Sequence, residues 1–328
     1  MLAAPDRASH IRKSTGLRKT SMTRALAVSA SHPGAPSVAA WGRQGALVLG
    51  SLGVLRPGKL AWLRALAWML ALLVVLVAIL SLQSVVRSIF PDPNLTLAMA
   101  FLCTALAYAS YYRLVCWGEQ RHPSELALGP LARDYAVGVL AGSCLISLLM
   151  GCLWLSGLYA IRPGNWFDWM HDVRETMGTG LLEELLARLV IFRLISRAFG
   201  VPAGMLISAA IFGAAHLLNA NASIAAAIAI AIEAGLLFAG FYFLSGRIWI
   251  SAGAHAAWNL TLGGVFGATV SGMPSDGSLF HSTPAAGSAA LLSGGGFGPE
   301  ASLPAIILGF ATFLIILKLA PRAVARQT

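Results

Sequence analysis

Three short frames put titratable and amide side chains into stretches that are otherwise apolar: Glu183-Glu184-Leu185-Leu186-Ala187-Arg188, Phe212-Gly213-Ala214-Ala215-His216 and His255-Ala256-Ala257-Trp258-Asn259. On a helix Glu184 and Arg188, four apart, share a face and can neutralise each other, whereas Glu183 is turned about 100° away and is left to face a polar cavity. One carboxylate is then held in an ion pair while its neighbour is free for proton transfer. Phe212 lies one turn before His216 on the same face, and the small residues between them let another helix or a substrate backbone come close. His255 and Asn259 present an imidazole and an amide side by side, which is what polarising a carbonyl and donating to an oxyanion requires.

Alone, the first frame also reads as a buried ion network and the second as a packing histidine, and the third is weak evidence by itself. Jointly they contain the parts of peptide hydrolysis. A partly desolvated glutamate base takes a proton from water and returns it to the leaving amine, and His255 and Asn259 meet the developing oxyanion. Glu183, His216 and His255 could also supply a carboxylate and two imidazoles to a Zn²⁺ with an open fourth position, so metal-assisted and metal-free routes both stay open. The HExxH string of many zinc proteases is absent. Glu233 belongs to none of the frames; pairing with a histidine or with Arg188, and lining the cavity, are its candidate roles. A Gly-x-Phe-x-Pro string ending at Pro299, just before Glu300, resembles one chloride-channel filter motif without its companions.

The elements that must position these residues are membrane helices. Of 328 residues, 57% are in AVILMFWYC and 11% are charged, against roughly 25% charged in an ordinary soluble domain. This composition excludes a cytosolic enzyme, a disulfide-stapled module and a coiled coil. Apolar segments long enough to cross a bilayer fall near 65–86, 95–117, 135–160, 177–195, 203–219, 224–244, 248–270 and 302–319, giving an all-α polytopic bundle of about eight transmembrane helices. The expected organisation is a basic, disordered arm over 1–62, a bundle over 63–320 with its catalytic core near 130–270, a Gly/Ser/Pro-rich loop over 271–301 and a basic tail over 321–328. Residues 165–175, rich in Trp and acidic groups, read as an interfacial helix. Cys103, Cys116, Cys144 and Cys152 form no metal or redox motif and read as small apolar packers.

The net charge of +10 is a topology signal. Nineteen of the 23 Lys and Arg fall on the arm side of the eight-span scheme and three on the other, which puts both termini in the cytoplasm and removes the case for a nucleic-acid partner. A charge at bilayer depth costs at least ~2.5–3.5 kcal/mol, so Glu183, Glu184, Arg188, His216, Glu233 and His255 are functional candidates by position.

EExxxR, FxxxH and HxxxN, in this order on apolar spans, resemble the CPBP family: the type 2 CAAX prenyl proteases and the bacteriocin-processing or Abi-type proteins, which are intramembrane endopeptidases. The likeness runs from about Thr176 to Thr261, and the segments 121–134 and 245–249 are also similar to the family pattern. It implies that Glu183 activates the hydrolytic water and that Glu184 and Arg188 support it. It further implies that His216 is a second essential catalytic or ligating group and that His255 and Asn259 bind or polarise the scissile carbonyl. The implied partners are membrane lipid and a peptide or lipidated-protein substrate. Ala187 and Leu189 stand where many members have an aromatic residue and a glycine, a departure that bears on substrate range. The competing expectation is a non-catalytic membrane protein, a proton or solute transporter or a peptide-binding immunity partner, using the same polar cluster.

Positive-inside counting sets up a tension. It places the cluster in the outer or middle part of the bilayer, whereas prenyl-protein processing takes cytosolic substrates, so either substrates are cut from the far side or the span count before Tyr135 is off by one.

Overall fold

The longest runs free of Gly and Pro fold into the longest helices. In the computed structural model, which describes residues 47–165, 169–275 and 277–320, α1 (Ala61–Ile89) and α2 (Pro93–Gly118) form an antiparallel pair. Asp92 caps α2 by accepting from the Leu95 N–H at 2.8 Å, with Pro93 in the first turn. Next come α3 (Leu131–Leu155) and a helical run over 169–199, α4. This run is α-helical at Trp169–Thr176 and Arg193–Phe199 and π-helical over Met177–Glu183 and Leu185–Phe192. Helix α5 (Val201–Ala215) ends in a 3₁₀ turn, His216–Leu218. Helix α6 spans Ile224–Ser245, and α7 joins Ile248–Asn259 to a π-helical Leu260–Val265. The last helix is α8 (Leu303–Leu319). The π-helical stretches fall in the helices that carry Glu183, Glu233 and Asn259, and such turns are frequent at functional sites.

Five of these helices, Ala61–Ile89, Pro93–Gly118, Leu131–Leu155, Val201–Leu218 and Ile224–Ser245, are long and apolar enough to cross a membrane. Leu303–Leu319 is apolar but shorter. The runs 169–199 and 248–265 carry two of the three polar frames, and Val201–Leu218 carries the third. Leu70, Val74, Leu140 and Ile307 are exposed on the outside, where an aqueous protein would not afford them. The chain is an all-α polytopic membrane bundle, with one addition that its apolar pattern does not announce. Tyr159–Pro163 (β1) and Phe280–Pro284 (β2) form a two-stranded antiparallel ribbon pairing Tyr159 with Pro284 and Ile161 with Ser282.

Alternating runs give the bundle two distinct ends. At one end Arg197 donates to the carbonyls of Gly50 (2.8 Å) and Leu55 (2.7 Å), Arg193 meets Glu119 and Arg247 meets Asp134. At the other end are the ribbon, the Arg87–Glu175 contact and the Asn219–Ser271 contact. Before α1, Leu47 and Val54 pack against the core and Leu55 is fully buried, while residues 56–60 are exposed. The rest of the arm, Trp166, Phe167, Asp168, Asp276 and the 321–328 tail lie outside the described residues. The 271–301 stretch holds β2, a helical turn at Ala290–Ser293 and two 3₁₀ turns.

A buried ionic knot locks the first end. Glu119 accepts from both Nη atoms of Arg193 (2.7 and 2.9 Å), from Arg121 Nε (2.8 Å) and from Trp68 Nε1 (3.0 Å). Arg121 also makes a two-pronged contact with Glu125. Burial resists ionisation of Glu125, but its hydrogen bonds from Arg121 and the charge of Arg193 outweigh that and hold its carboxyl below the usual range. Arg121 and Arg193 are thus structural as well as topological.

Close helix approach fixes α7, the carrier of His255 and Asn259. A Cβ at Gly138 would lie 2.2 Å from the Ile250 carbonyl, one at Gly142 2.2 Å from the Ala254 carbonyl and one at Gly253 2.3 Å from the Tyr135 carbonyl. Small residues on both faces let α3 and α7 meet at backbone distance. Gly180 does the same on α4, where a Cβ would fall 2.5 Å from that of Ala256. Glu183 and Glu184 are thereby brought against His255.

Candidate active site

The glutamate pair divides as its spacing implies. Glu184 is fully buried and accepts from Arg188 Nε (2.9 Å) and Nη2 (3.2 Å), while Arg188 Nη1 donates to the Gly235 carbonyl on α6 (2.9 Å). Two further donors come from α7: the Ser251 hydroxyl and His255 Nδ1, the latter 3.1 Å from Glu184 Oε1. A carboxylate beside Arg188 is an acceptor only, so the His255 hydrogen sits on Nδ1 and Nε2 is turned to the other side. There it lies 4.0 Å from Glu183 Oε2, and the Glu183 side chain is 39% exposed to the cavity. Glu184 thus fixes the orientation of His255 as well as the charge of Arg188, a role its motif alone does not reveal.

His216 stands at the α5 terminus. Its Nδ1 is 2.8 Å from the Phe212 carbonyl, and because a carbonyl only accepts, Nδ1 carries the hydrogen and Nε2 is left as an acceptor. Phe212 bridges the two histidines, its ring 4.9 Å from that of His216 and 5.9 Å from that of His255. Phe238 stacks on His255 at 4.7 Å, and the Arg188 guanidinium lies over both Phe212 (5.1 Å) and Phe238 (5.9 Å). Gly213 permits this, since a Cβ there would meet the Ala227 carbonyl at 2.2 Å.

Glu183, His216, His255 and Asn259 line one cavity of about 420 Å³. Glu184 and Arg188 sit behind its wall. Arg87, His171, Asp172, Glu175, Asn219, Ser271 and Ser275 also line it, and all belong to the end of the bundle opposite the Arg-rich one. The sequence frames miss Ser251, although it lies one turn before His255 and so on its face. They also miss Asn219 and Ser271, which are joined by a hydrogen bond from the Asn219 amide to the Ser271 carbonyl (2.9 Å). No spacing rule links residues that far apart. As for a metal, no group of three or more His, Cys, Asp or Glu side chains among the described residues is placed to hold one. Glu183, His216 and His255 share the cavity without forming a donor set.

Glu233 takes none of the pairings its sequence position suggested. It is fully buried, and neither carboxyl oxygen has a hydrogen-bond partner among the described residues. Gly309 lies against its backbone, at a distance where a Cβ would come within 2.6 Å of the Glu233 Cα. A buried polar group without a partner costs stability. Glu233→Met is therefore expected to leave the thermal unfolding midpoint of the purified protein unchanged or raised, and a marked fall would show that the carboxyl group is structurally required.

Residues 165–261 match the family model for Rce1-like, type II CAAX prenyl endopeptidase Rce1-like, a segment that holds all three frames and a little under a third of the chain. No curated protein and no solved structure matches the chain.

Proposed function

We propose that this chain, a CPBP-family intramembrane endopeptidase, hydrolyses a peptide bond in a membrane-associated or lipidated peptide with water activated by Glu183. The observation that carries this reading is the division of labour between adjacent carboxylates: Glu184 is saturated by Arg188, Ser251 and His255, while Glu183 faces the cavity beside His255 Nε2.

The chemistry follows from the acceptors and donors. A water donates one hydrogen to Glu183 and the other to His216 Nε2, which directs its lone pair at a carbonyl carbon. Glu183 takes the proton as the C–O bond forms. The carbonyl oxygen becomes an oxyanion that meets the Asn259 amide N–H, with His255 Nε2 at the same point when it carries a proton. Glu183 then returns its proton to the amide nitrogen, the C–N bond breaks, and a carboxylic acid and an amine form, the acid passing its proton to the amine as they leave. Arg188 holds Glu184, and Glu184 holds His255.

The cavity mouth and the basic end of the bundle are opposite. Combined with the positive-inside bias, this supports cytoplasmic termini and a mouth facing away from the cytoplasm, so that substrates are cut on the far side of the membrane. The test compares protein N-termini by mass spectrometry in membranes of cells making the parent protein or His216→Ala at equal levels. New N-termini on far-side segments of membrane proteins, at least about 10²-fold depleted in the variant, are expected. Identical N-termini in the two strains overturn the proposal, and new termini confined to cytoplasmic segments overturn the assigned orientation.

A further inference from the structure

We infer that Glu300 is a positioning residue of this site, setting Asn259 and one cavity wall from outside the segment that carries the three frames; the inference rests on the endopeptidase reading above. Glu300 is 2% exposed although it lies in the Gly-rich stretch before α8. One oxygen accepts from Trp258 Nε1 at 2.9 Å. The other accepts from the backbone N–H of Ser271 and from its hydroxyl, the latter at 3.0 Å. Both partners touch the site. Trp258 is the residue before Asn259, and it packs edge-on against Phe238 (6.0 Å, 88°), the ring stacked on His255. Ser271 lines the cavity with His216 and Asn219. Glu300, Trp258, His216, His255, Asn259 and Ser271 border a recess of about 10 Å³ deep to that cavity.

Ser271 supplies an independent observation. Its φ of 48° is in the left-handed region, which a residue with a Cβ adopts only when its surroundings impose it. What imposes it is visible: its N–H and hydroxyl go to Glu300, its carbonyl takes the Asn219 amide, and the next N–H, of Gly272, goes to the Phe297 carbonyl at 2.8 Å. Gly272 is seated so closely that a Cβ would meet the Ala220 carbonyl at 1.9 Å. A carboxylate suits this position because all its partners are donors. Glutamine offers one acceptor oxygen, so it can serve Trp258 or Ser271 but not both.

The test uses the full-length protein and compares Glu300→Ala, Glu300→Gln, Trp258→Phe, and Glu300→Ala combined with Ser271→Gly. Cleavage is read with an internally quenched single-span peptide, and amide hydrogen exchange is read over 266–275. Glu300→Ala is expected to lower kcat about 10–100-fold with KM changed less than about threefold, the pattern of misplaced groups with substrate binding retained. Glu300→Gln and Trp258→Phe should fall between it and the parent. Exchange over 266–275 should quicken in Glu300→Ala and recover when Ser271→Gly removes the need to hold a left-handed serine. Parent-like kcat and parent-like exchange in Glu300→Ala overturn the inference. Glu183→Gln serves as control: if it cleaves as the parent does, the endopeptidase reading fails, while unchanged or quickened exchange still decides whether Glu300 holds the wall.

Discussion

Glu183→Gln is expected to lower peptide cleavage by about 10²–10⁴-fold, the range a positioned general acid and base contributes, with KM and thermal unfolding close to the parent's. The amide keeps the shape of the side chain but cannot take a proton from water. Stability should hold because Glu183 faces the cavity and its nearest ionic partner, His255 Nε2, is 4.0 Å away. Steady-state kinetics and a melting curve on the same preparation check this. A variant that melts early would make Glu183 a structural residue, and one that cleaves normally would remove it from the chemistry.

The neighbouring carboxylate should behave differently. Glu184→Gln leaves the Arg188 guanidinium, fully buried, without its counter-charge. Breaking such a pair by removing one partner typically costs about 3–5 kcal/mol, a large share of a total stability on the order of 5–15 kcal/mol. Glu184→Gln is thus expected to unfold at distinctly lower temperature and to lose activity. Glu184→Leu combined with Arg188→Met removes both charges, and a buried pair replaced by apolar groups is often close to neutral in stability. The double variant should recover much of the melting temperature while cleavage stays at least tenfold down, because His255 Nδ1 and Ser251 have lost their acceptor. Recovery of both properties together would show that Glu184 has no part in placing His255.

The three frames were legible because an apolar chain makes each charge conspicuous, and because helical spacing alone separates Glu183 from the Glu184–Arg188 pair. The long helices followed from their apolar runs. What could not be read came from contacts between distant segments. The Glu184 bond to His255 joins residues 71 apart and the Glu300 bond to Trp258 residues 42 apart; neither leaves a periodic trace. Ser251 was within reach, being one turn before His255 on the same face. The ribbon was hidden because Tyr159–Pro163 reads as the end of a span, and its partner strand lies in a stretch whose Gly, Ser and Pro content signals loop. Arg121 and Arg193 illustrate a further limit: positive-inside counting groups them on one side, and both lie at the Arg-rich end, yet it says nothing of the buried carboxylates that hold them. Glu233, singled out by the same scarcity of charge, has no hydrogen-bond partner among the described residues.

The most direct test of water activated by Glu183 is mass spectrometry of the termini made by the purified full-length protein in liposomes carrying a library of single-span peptides, run in ¹⁸O-labelled water with hydroxylamine present. The expected result is a matched pair of new termini for each cleaved peptide, one ¹⁸O atom in the new carboxylate, no hydroxamate, and loss of the products with Glu183→Gln. Hydroxamate products would indicate a covalent acyl intermediate, and an absence of new termini, or equal cleavage by the Glu183→Gln protein, would contradict hydrolysis by water that Glu183 activates.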